Sequence, residues 1–521
     1  MISLQGMIER AARLNPNGTS TRYEEGGQRR EHSWTELRDR IASLASGLQQ
    51  FGLSEGDRVG ILSLNSDRYY ESLFAVPWAG YCVVPLNTRW ALPENQYAVS
   101  DSGTRVLFFD DAFAGQAEQL LQQVQDLDVA IYMGNGDCPG WATSYEQLIQ
   151  NHPPIDASSR GGDDMAGIFY TGGTTGFPKG VMQSHRAIWA STVGCLPDFE
   201  MTRDSLYLHV APMFHMADFC ASMVTTMCCT THVFLQSFEP GQVLSTLAQE
   251  KISHVLLVPA MIKMVLNHPD ASGTDVSALE KIMYGASPMP PATLEQCMAQ
   301  WPGVGLAQAY GQTELAPVVT TLSSADHLAG GQRLKSAGRP TTVSDVRIVD
   351  DEGNDCPLGV SGEVVVRGPH TMIGYWNKPE ETAKALQNGW VFTGDAGLFD
   401  ENGYLYIVDR LKDMVVSGGE NVFTTEVEGA VISHDAVQDV AVIGIPHDEW
   451  GEAVHAIVIL HPGKSITEDQ LIAHCRERIA GYKLPKSVTF REQPLPLSGA
   501  GKVLKTELRK PYWEGRDRQV N

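Results

Sequence analysis

Residues Tyr170-Thr171-Gly172-Gly173-Thr174-Thr175-Gly176-Phe177-Pro178-Lys179-Gly180 follow the short apolar run Ala166-Gly167-Ile168-Phe169. The run reads as a buried strand, and the turn after it gathers glycines, hydroxyls and one lysine. Glycines let backbone N–H groups converge on an anion, threonine hydroxyls add donors and the lysine adds a point charge. Such a turn is suited to holding phosphates. It is not a Walker loop, which needs Gly directly before the lysine and Ser or Thr directly after it; Pro178 and Gly180 stand in those places. A GTPase or kinase-like ATPase is therefore disfavoured. The plain alternative, a surface loop that is simply rich in Gly and Thr, has to be weighed against the rest of the chain.

Outward from this turn, apolar runs alternate with amphipathic stretches. Arg58-Val59-Gly60-Ile61-Leu62-Ser63 precedes a helical pattern over 69–76, and Arg105-Val106-Leu107-Phe108-Phe109 follows another. The rhythm returns at 206–210, 254–258 and 281–285. Alternation of this kind predicts βαβ units, a mainly parallel sheet and ligand binding at the carboxyl ends of the strands. From 345 onward the strands shorten and Gly-containing turns separate them, as in Gly362-Glu363-Val364-Val365-Val366-Arg367, which predicts a more antiparallel, β-rich subdomain. A helix over 427–432, strands over 437–445 and 453–460 and a helix over 469–479 predict a second compact unit. The fold class expected is α/β: a large N-terminal domain of mixed, mainly parallel sheets packed with helices, then a small, mobile α+β C-terminal domain. The boundary is expected near 410, giving domains 1–410 and 411–521.

A length of 521 residues exceeds the usual single-domain size, and 43% hydrophobic with 19% charged residues is ordinary for a globular enzyme. A formal net charge of −23 without a dense Lys/Arg run excludes nucleic acid as the expected partner. A small anion remains compatible, because a few lysines and helix N-termini can dominate the field in one cleft. The nine cysteines are scattered without a C-x-x-C pair, so buried reduced thiols are expected rather than zinc or disulfides. The first ten residues lack the features of a signal peptide, and the apolar stretch 73–85 is interrupted by Pro77 and Gly80 and falls short of the ~20 residues of a membrane span. A buried helix running into a strand is expected there. The chain is expected to be cytoplasmic, without a transmembrane segment; peripheral membrane contact and a homodimer stay open.

Four more segments bear on the phosphate turn. Tyr310-Gly311-Gln312-Thr313-Glu314 offers a hydroxyl and a carboxylate on a tight turn. Thr393-Gly394-Asp395 has a carboxylate after a glycine, and Asp409-Arg410 has a cation at a candidate hinge. Ser498-Gly499-Ala500-Gly501-Lys502 carries a lysine on a pliant loop. Together, in order and spacing over essentially the whole chain, they resemble the adenylate-forming superfamily of acyl-CoA synthetases, aryl-CoA ligases, firefly luciferase and peptide-synthetase adenylation domains. That family's phosphate loop usually reads T-S-G-T-T-G-x-P-K-G, so Gly172 departs from it where Ser is common, removing one hydroxyl.

The resemblance implies a two-step ligase. A carboxylate attacks the α-phosphate of ATP to give an acyl-adenylate and pyrophosphate; the thiol of coenzyme A then attacks the acyl carbon and AMP leaves. It implies ATP contacts from Thr171, Gly172, Gly173, Thr174, Thr175, Gly176 and Lys179, and adenine contact from Gly285, Ala286 and Ser287. Tyr310, Gly311, Gln312 and Thr313 are implied beside the nucleotide, with Thr313 on the α-phosphate and Glu314 on Mg²⁺. Asp395 is implied at the ribose with Arg410 beside it, and Lys502 between the carboxylate and the α-phosphate. Lys412 matches the hinge about which the C-terminal domain turns, and Gly418 and Gly419 match the loop at the CoA channel. His215, in Pro212-Met213-Phe214-His215-Met216-Ala217-Asp218, sits where the family lines or gates the acyl pocket. Amino-acid-activating relatives commonly carry Asp there to hold the α-ammonium; His215 lacks that fixed charge, although Asp218 is near.

Fatty acid is the favoured acid, because the stretch 258–266 with its methionines would suit an apolar tunnel as well as a core helix. The alternatives are an aryl acid, a non-CoA acceptor and a nucleotide-binding regulator without turnover. No carrier domain follows Lys502 before Asn521, which favours free CoA. Thr313, Glu314, Asp395, Arg410 and Lys502 are all present, which disfavours the regulator.

Overall fold

The computed structural model describes residues 2–171, 178–417, 420–447, 450–497 and 503–514. It divides into two compact units, Met1–Val346 with Val366–Val391, and Arg347–Val365 with Phe392–Asn521. This is a different partition from the boundary expected at 410, which marks where a mobile domain would begin.

In the first unit the run that opens the phosphate turn is the strand Met165–Thr171, inside an eight-stranded sheet. Arg58–Leu62, Cys82–Pro85, Thr104–Phe109 and Val129–Tyr132 pair parallel in that sheet, and Lys179–Ser184 and Gly374–Tyr375 extend it antiparallel beyond Met165–Thr171. The central strands are buried on both faces, which explains why they read as continuous apolar runs instead of alternating ones. A nine-stranded sheet holds the other expected strands, with Leu206–His209, His254–Leu256, Lys281–Gly285 and Gly305–Gly311 adjacent and parallel. Residues of both sheets and of the helices Leu4–Leu14, Trp34–Gln49 and Asp67–Trp78 share one apolar core. The stretch 73–85 is the expected helix and strand: Asp67–Trp78 is capped by Ser66, buried along its whole length, and followed by Cys82–Pro85.

The helix Pro259–Leu266 packs Met261, Ile262, Val265 and Leu266 into a core with Val243, Leu244, Leu294 and Cys297, while Met264 is 52% exposed. One face of the helix is therefore core. The nine cysteines are free. No helix among the described residues is long and apolar enough to cross a membrane.

The second unit contains the expected antiparallel strands, Trp390–Phe399 against Leu405–Arg410. A further sheet pairs Val437–His447 and Gly451–Leu460 antiparallel, with Ser487–Phe490 added parallel. The helices Thr424–Ile432 and Glu468–Arg476 pack on it through Val427, Val431, Leu471 and Cys475. The last helix, Lys505–Trp513, is tied down by the Lys505 Nζ–Glu428 Oε1 pair at 2.7 Å and the Arg509–Glu452 pair at 2.8 Å.

Candidate active site

The turn after Gly305–Gly311 is forced into shape by close backbone approach. A Cβ on Gly311 would lie 1.8 Å from the Pro317 carbonyl oxygen, so only glycine fits. Gln312 N donates to that same carbonyl at 2.9 Å, and Thr313–Leu315 then forms a single 3₁₀ turn. Gln183, fully buried on Lys179–Ser184, donates Nε2 to the Thr313 carbonyl at 2.6 Å, and Met372 N donates to the Glu314 carbonyl at 2.9 Å. The hydroxyl of Thr313 and the carboxylate of Glu314 are thus carried on a backbone fixed from two sides.

The Glu314 carboxylate is fixed as well. Tyr375 donates its hydroxyl to Glu314 Oε1 at 2.8 Å, and the ring of Tyr375 lies under Lys179, whose Nζ is 5.0 Å from the ring centroid. Register explains the meeting: Tyr375 pairs with Val181, and Lys179, two residues along, projects from the same face of the sheet. Burial and the adjacent Glu314 push the Tyr375 phenol far above its ordinary range, so it stays a donor at any working pH. Tyr375 and Gln183 were not singled out in the sequence, where an isolated tyrosine or glutamine carries no chemical signal; only the pairing of distant strands brings them here.

Thr171 and Lys179 face each other as an antiparallel pair, with the Thr171 hydroxyl 3.4 Å from the Lys179 carbonyl. The expected contacts of Gly172, Gly173, Thr174, Thr175 and Gly176 lie outside the described residues, as do those of Gly418, Gly419 and Lys502. At the expected adenine stretch, Gly285 ends its strand against Ala309, whose carbonyl oxygen would be 2.2 Å from an added Cβ, and Ala286 takes a left-handed φ of 66°. Ser287 follows directly. Tyr310 is the last residue before the register shift that starts the Gly311 turn.

In the second unit Asp395 is buried and sits opposite Arg410 in the strand pair. Its backbone N–H donates to the Thr393 hydroxyl at 3.1 Å, Gly394 N donates to Glu363 Oε1 at 3.0 Å, and Leu411 N donates to the Gly394 carbonyl at 3.0 Å. The side chain of Arg410 lies outside the described residues. Lys412 follows in the turn after Leu405–Arg410, and its carbonyl accepts from Arg509 at 3.2 Å.

His215 occupies the N-cap position of the helix Met216–Cys228 without a side-chain capping hydrogen bond and is half-buried, its ring tilted 35° against Phe214. Asp218 is a different matter. It is fully buried, accepting from the Tyr207 hydroxyl at 2.9 Å and from His209 Nδ1 at 2.7 Å. His209 Nε2 in turn lies 2.9 Å from Nδ1 of His232, whose ring burial and the neighbouring His209 hold far below the usual imidazole range. Tyr207, Asp218, His209 and His232 thus form one buried hydrogen-bonded chain. The carboxylate that left an amino-acid substrate open is committed to the core.

The donor set suits Mg²⁺. Glu314 presents one carboxylate oxygen already oriented by a hydrogen bond, with a neighbouring hydroxyl, and Mg²⁺ is commonly held by one or two carboxylates together with substrate phosphates. No cluster of three or more His, Cys, Asp or Glu side chains among the described residues forms an all-protein cage.

Residues 8–376 match the family model described as AMP-binding enzyme, and 426–502 match the AMP-binding enzyme C-terminal domain. The chain is 38% identical over 504 residues to a feruloyl-CoA synthase of an Amycolatopsis species, covering 96% of this chain and 98% of that protein. It is 35% identical over 503 residues to a medium/long-chain fatty-acid–CoA ligase of Mycobacterium tuberculosis, covering 93% of this chain and 86% of the other. Among solved structures, ATP-bound MatB from Rhodopseudomonas palustris superposes with a TM-score of 0.89 at 28% identity, over 98% of this chain and 99% of that one. A glycine-bound Thr–Glu turn, a lysine beside it and full-length likeness of sequence and fold converge: the chain belongs to the AMP-binding enzyme family and is an AMP-forming acyl-CoA synthetase, an acid–thiol ligase that uses ATP, Mg²⁺ and coenzyme A.

Proposed function

We propose that the acid activated is a hydrophobic carboxylic acid without an α-ammonium group, a fatty acid in the first reading. The observation that carries this is Asp218, whose charge is consumed by Tyr207 and His209. His215 then remains as the polar side chain flanking the acid, with the ring of Phe214 against it. An aryl acid is the second reading, favoured by the 38% identity to a feruloyl-CoA synthase against 35% to the fatty-acid ligase.

In the mechanism proposed, Thr171, the glycine–threonine turn 172–176 and Lys179 hold the triphosphate, and Thr313 donates to the α-phosphate. Gly285, Ala286 and Ser287 lie against adenine beside Tyr310, Gly311 and Gln312, while Asp395 accepts from the ribose hydroxyls with Arg410 alongside. Glu314 would hold Mg²⁺, which neutralises phosphate charge when bound. Lys502 bridges the substrate carboxylate and the α-phosphate, stabilising charge that develops as the acyl–phosphate bond forms and pyrophosphate leaves. Residues 411–521 then turn about Lys412, withdrawing Lys502 and bringing Gly418 and Gly419 to the pantetheine path, where the thiol displaces AMP.

The test is thioester formation with Mg-ATP and CoA against fatty, hydroxycinnamic, benzoic and amino acids, with Lys502→Ala alongside. Thioester from a fatty acid, and loss of adenylation by about 100-fold or more in the variant, are expected. Preference for hydroxycinnamates selects the second reading; turnover of an amino acid overturns both.

A further inference from the structure

Lys179 and Glu314 come from different motifs, and one side chain touches both. The Tyr375 hydroxyl is 2.8 Å from Glu314 Oε1, and its ring centroid is 5.0 Å from Lys179 Nζ. Tyr375 is itself fixed. It is 9% exposed, packs with Val181 and Met372, and is locked by strand pairing to Val181. Its backbone N–H donates to the Thr382 hydroxyl at 2.9 Å, and Thr382 donates onward to the Lys378 carbonyl at 2.8 Å.

We infer that Tyr375 is a positioning residue for Mg-ATP, aiming the Glu314 carboxylate through its hydroxyl and the Lys179 ammonium through its ring. A tyrosine used only for packing needs no partner at its hydroxyl, and phenylalanine would fill the same volume. Here the hydroxyl occupies Oε1 and leaves Oε2 to a cation. Outer partners of this kind fix the orientation of a ligating carboxylate, and their loss typically weakens metal affinity 10- to 100-fold. The ring adds a second effect: an ammonium over an aromatic face is held electrostatically without being neutralised, so Lys179 keeps its full charge for phosphate. An ion pair with Glu314 would have cancelled both charges.

This inference rests on Glu314 holding the metal, and the experiment separates the two ideas. Mn²⁺ serves as the probe, its binding read by electron paramagnetic resonance on the full chain with a non-hydrolysable ATP analogue and no acid present. Wild type, Glu314→Gln, Tyr375→Phe and Tyr375→Leu are compared, with thermal denaturation of each. Tyr375→Phe is expected to weaken Mn²⁺ about 10-fold and to move the Mg²⁺ midpoint of pyrophosphate exchange by the same factor. Tyr375→Leu is expected to weaken analogue binding further, since Lys179 loses its support. If Tyr375→Phe stays within twofold of wild type while Glu314→Gln loses Mn²⁺, Tyr375 only packs and the inference fails alone. If Glu314→Gln also binds Mn²⁺ normally, the metal role of Glu314 falls and the inference with it.

Discussion

Asp218 is the residue at which a sequence reading and a structural reading diverge most usefully. Beside His215 in the chain, it looked like a carboxylate able to meet a substrate ammonium. In the fold it closes a buried Tyr207–Asp218–His209–His232 network. Removing the carboxylate leaves the buried Tyr207 hydroxyl and His209 ring without their acceptor, at about 1–3 kcal/mol for each unsatisfied group. Asp218→Ala is therefore expected to lower unfolding free energy in urea by about 3 kcal/mol while leaving acid selectivity among folded molecules unchanged. A shift in selectivity at unchanged stability would return Asp218 to the acyl site. At this same scale, Lys179, Thr313, Glu314 and Asp395 stand out in the sequence because they lie in local glycine-containing motifs. Tyr375 was not, because its partner stands 61 residues away in the chain.

At the scale of elements, the site depends on how tightly strands approach one another. The turn that carries Thr313 and Glu314 is closed by Pro317 against Gly311, and no side chain fits between them. Gly311→Ala must displace that backbone, with an expected loss of ~3 kcal/mol from overpacking. Pyrophosphate exchange is expected to fall more than acid binding, because the turn carries Thr313 and Glu314. Kinetics of both, with denaturation of the variant, check this. Strands and helices themselves were largely predictable. The runs at 58–62, 104–109 and 281–285 became strands because they are apolar on both faces, and 259–266 became a helix. What that last helix does was not legible, since a core stripe and a tunnel lining share one pattern; in the fold Met261 is buried and Met264 is exposed.

The whole molecule buries neutral imidazoles in both units. His185, His254 and His370 in the first unit and His455 in the second are each held at about 4, chiefly by burial. An unfolded histidine takes its proton near pH 6.5. Between these values the unfolded chain binds protons that the folded chain refuses, so stability is fully present above pH 6.5 and is lost as pH falls toward 4. For each such residue the loss by pH 5 is of order 2 kcal/mol. Calorimetry is expected to give a much lower Tm at pH 5 than at pH 7.5, and His370→Gln is expected to narrow the gap. An unchanged Tm across that range would mean that these rings are solvated.

Sequence alone determined the class of chemistry and the alternation of elements. A phosphate-binding turn and a buried strand are local patterns, set by which residues lack side chains, carry hydroxyls or repeat their apolarity. Tertiary structure alone decided which charges remain available for substrate. Asp218 is hydrogen-bonded inside the core and Glu314 accepts from Tyr375, because hydrogen bonding and burial depend on which strands pair, and pairing joins residues that the chain keeps far apart.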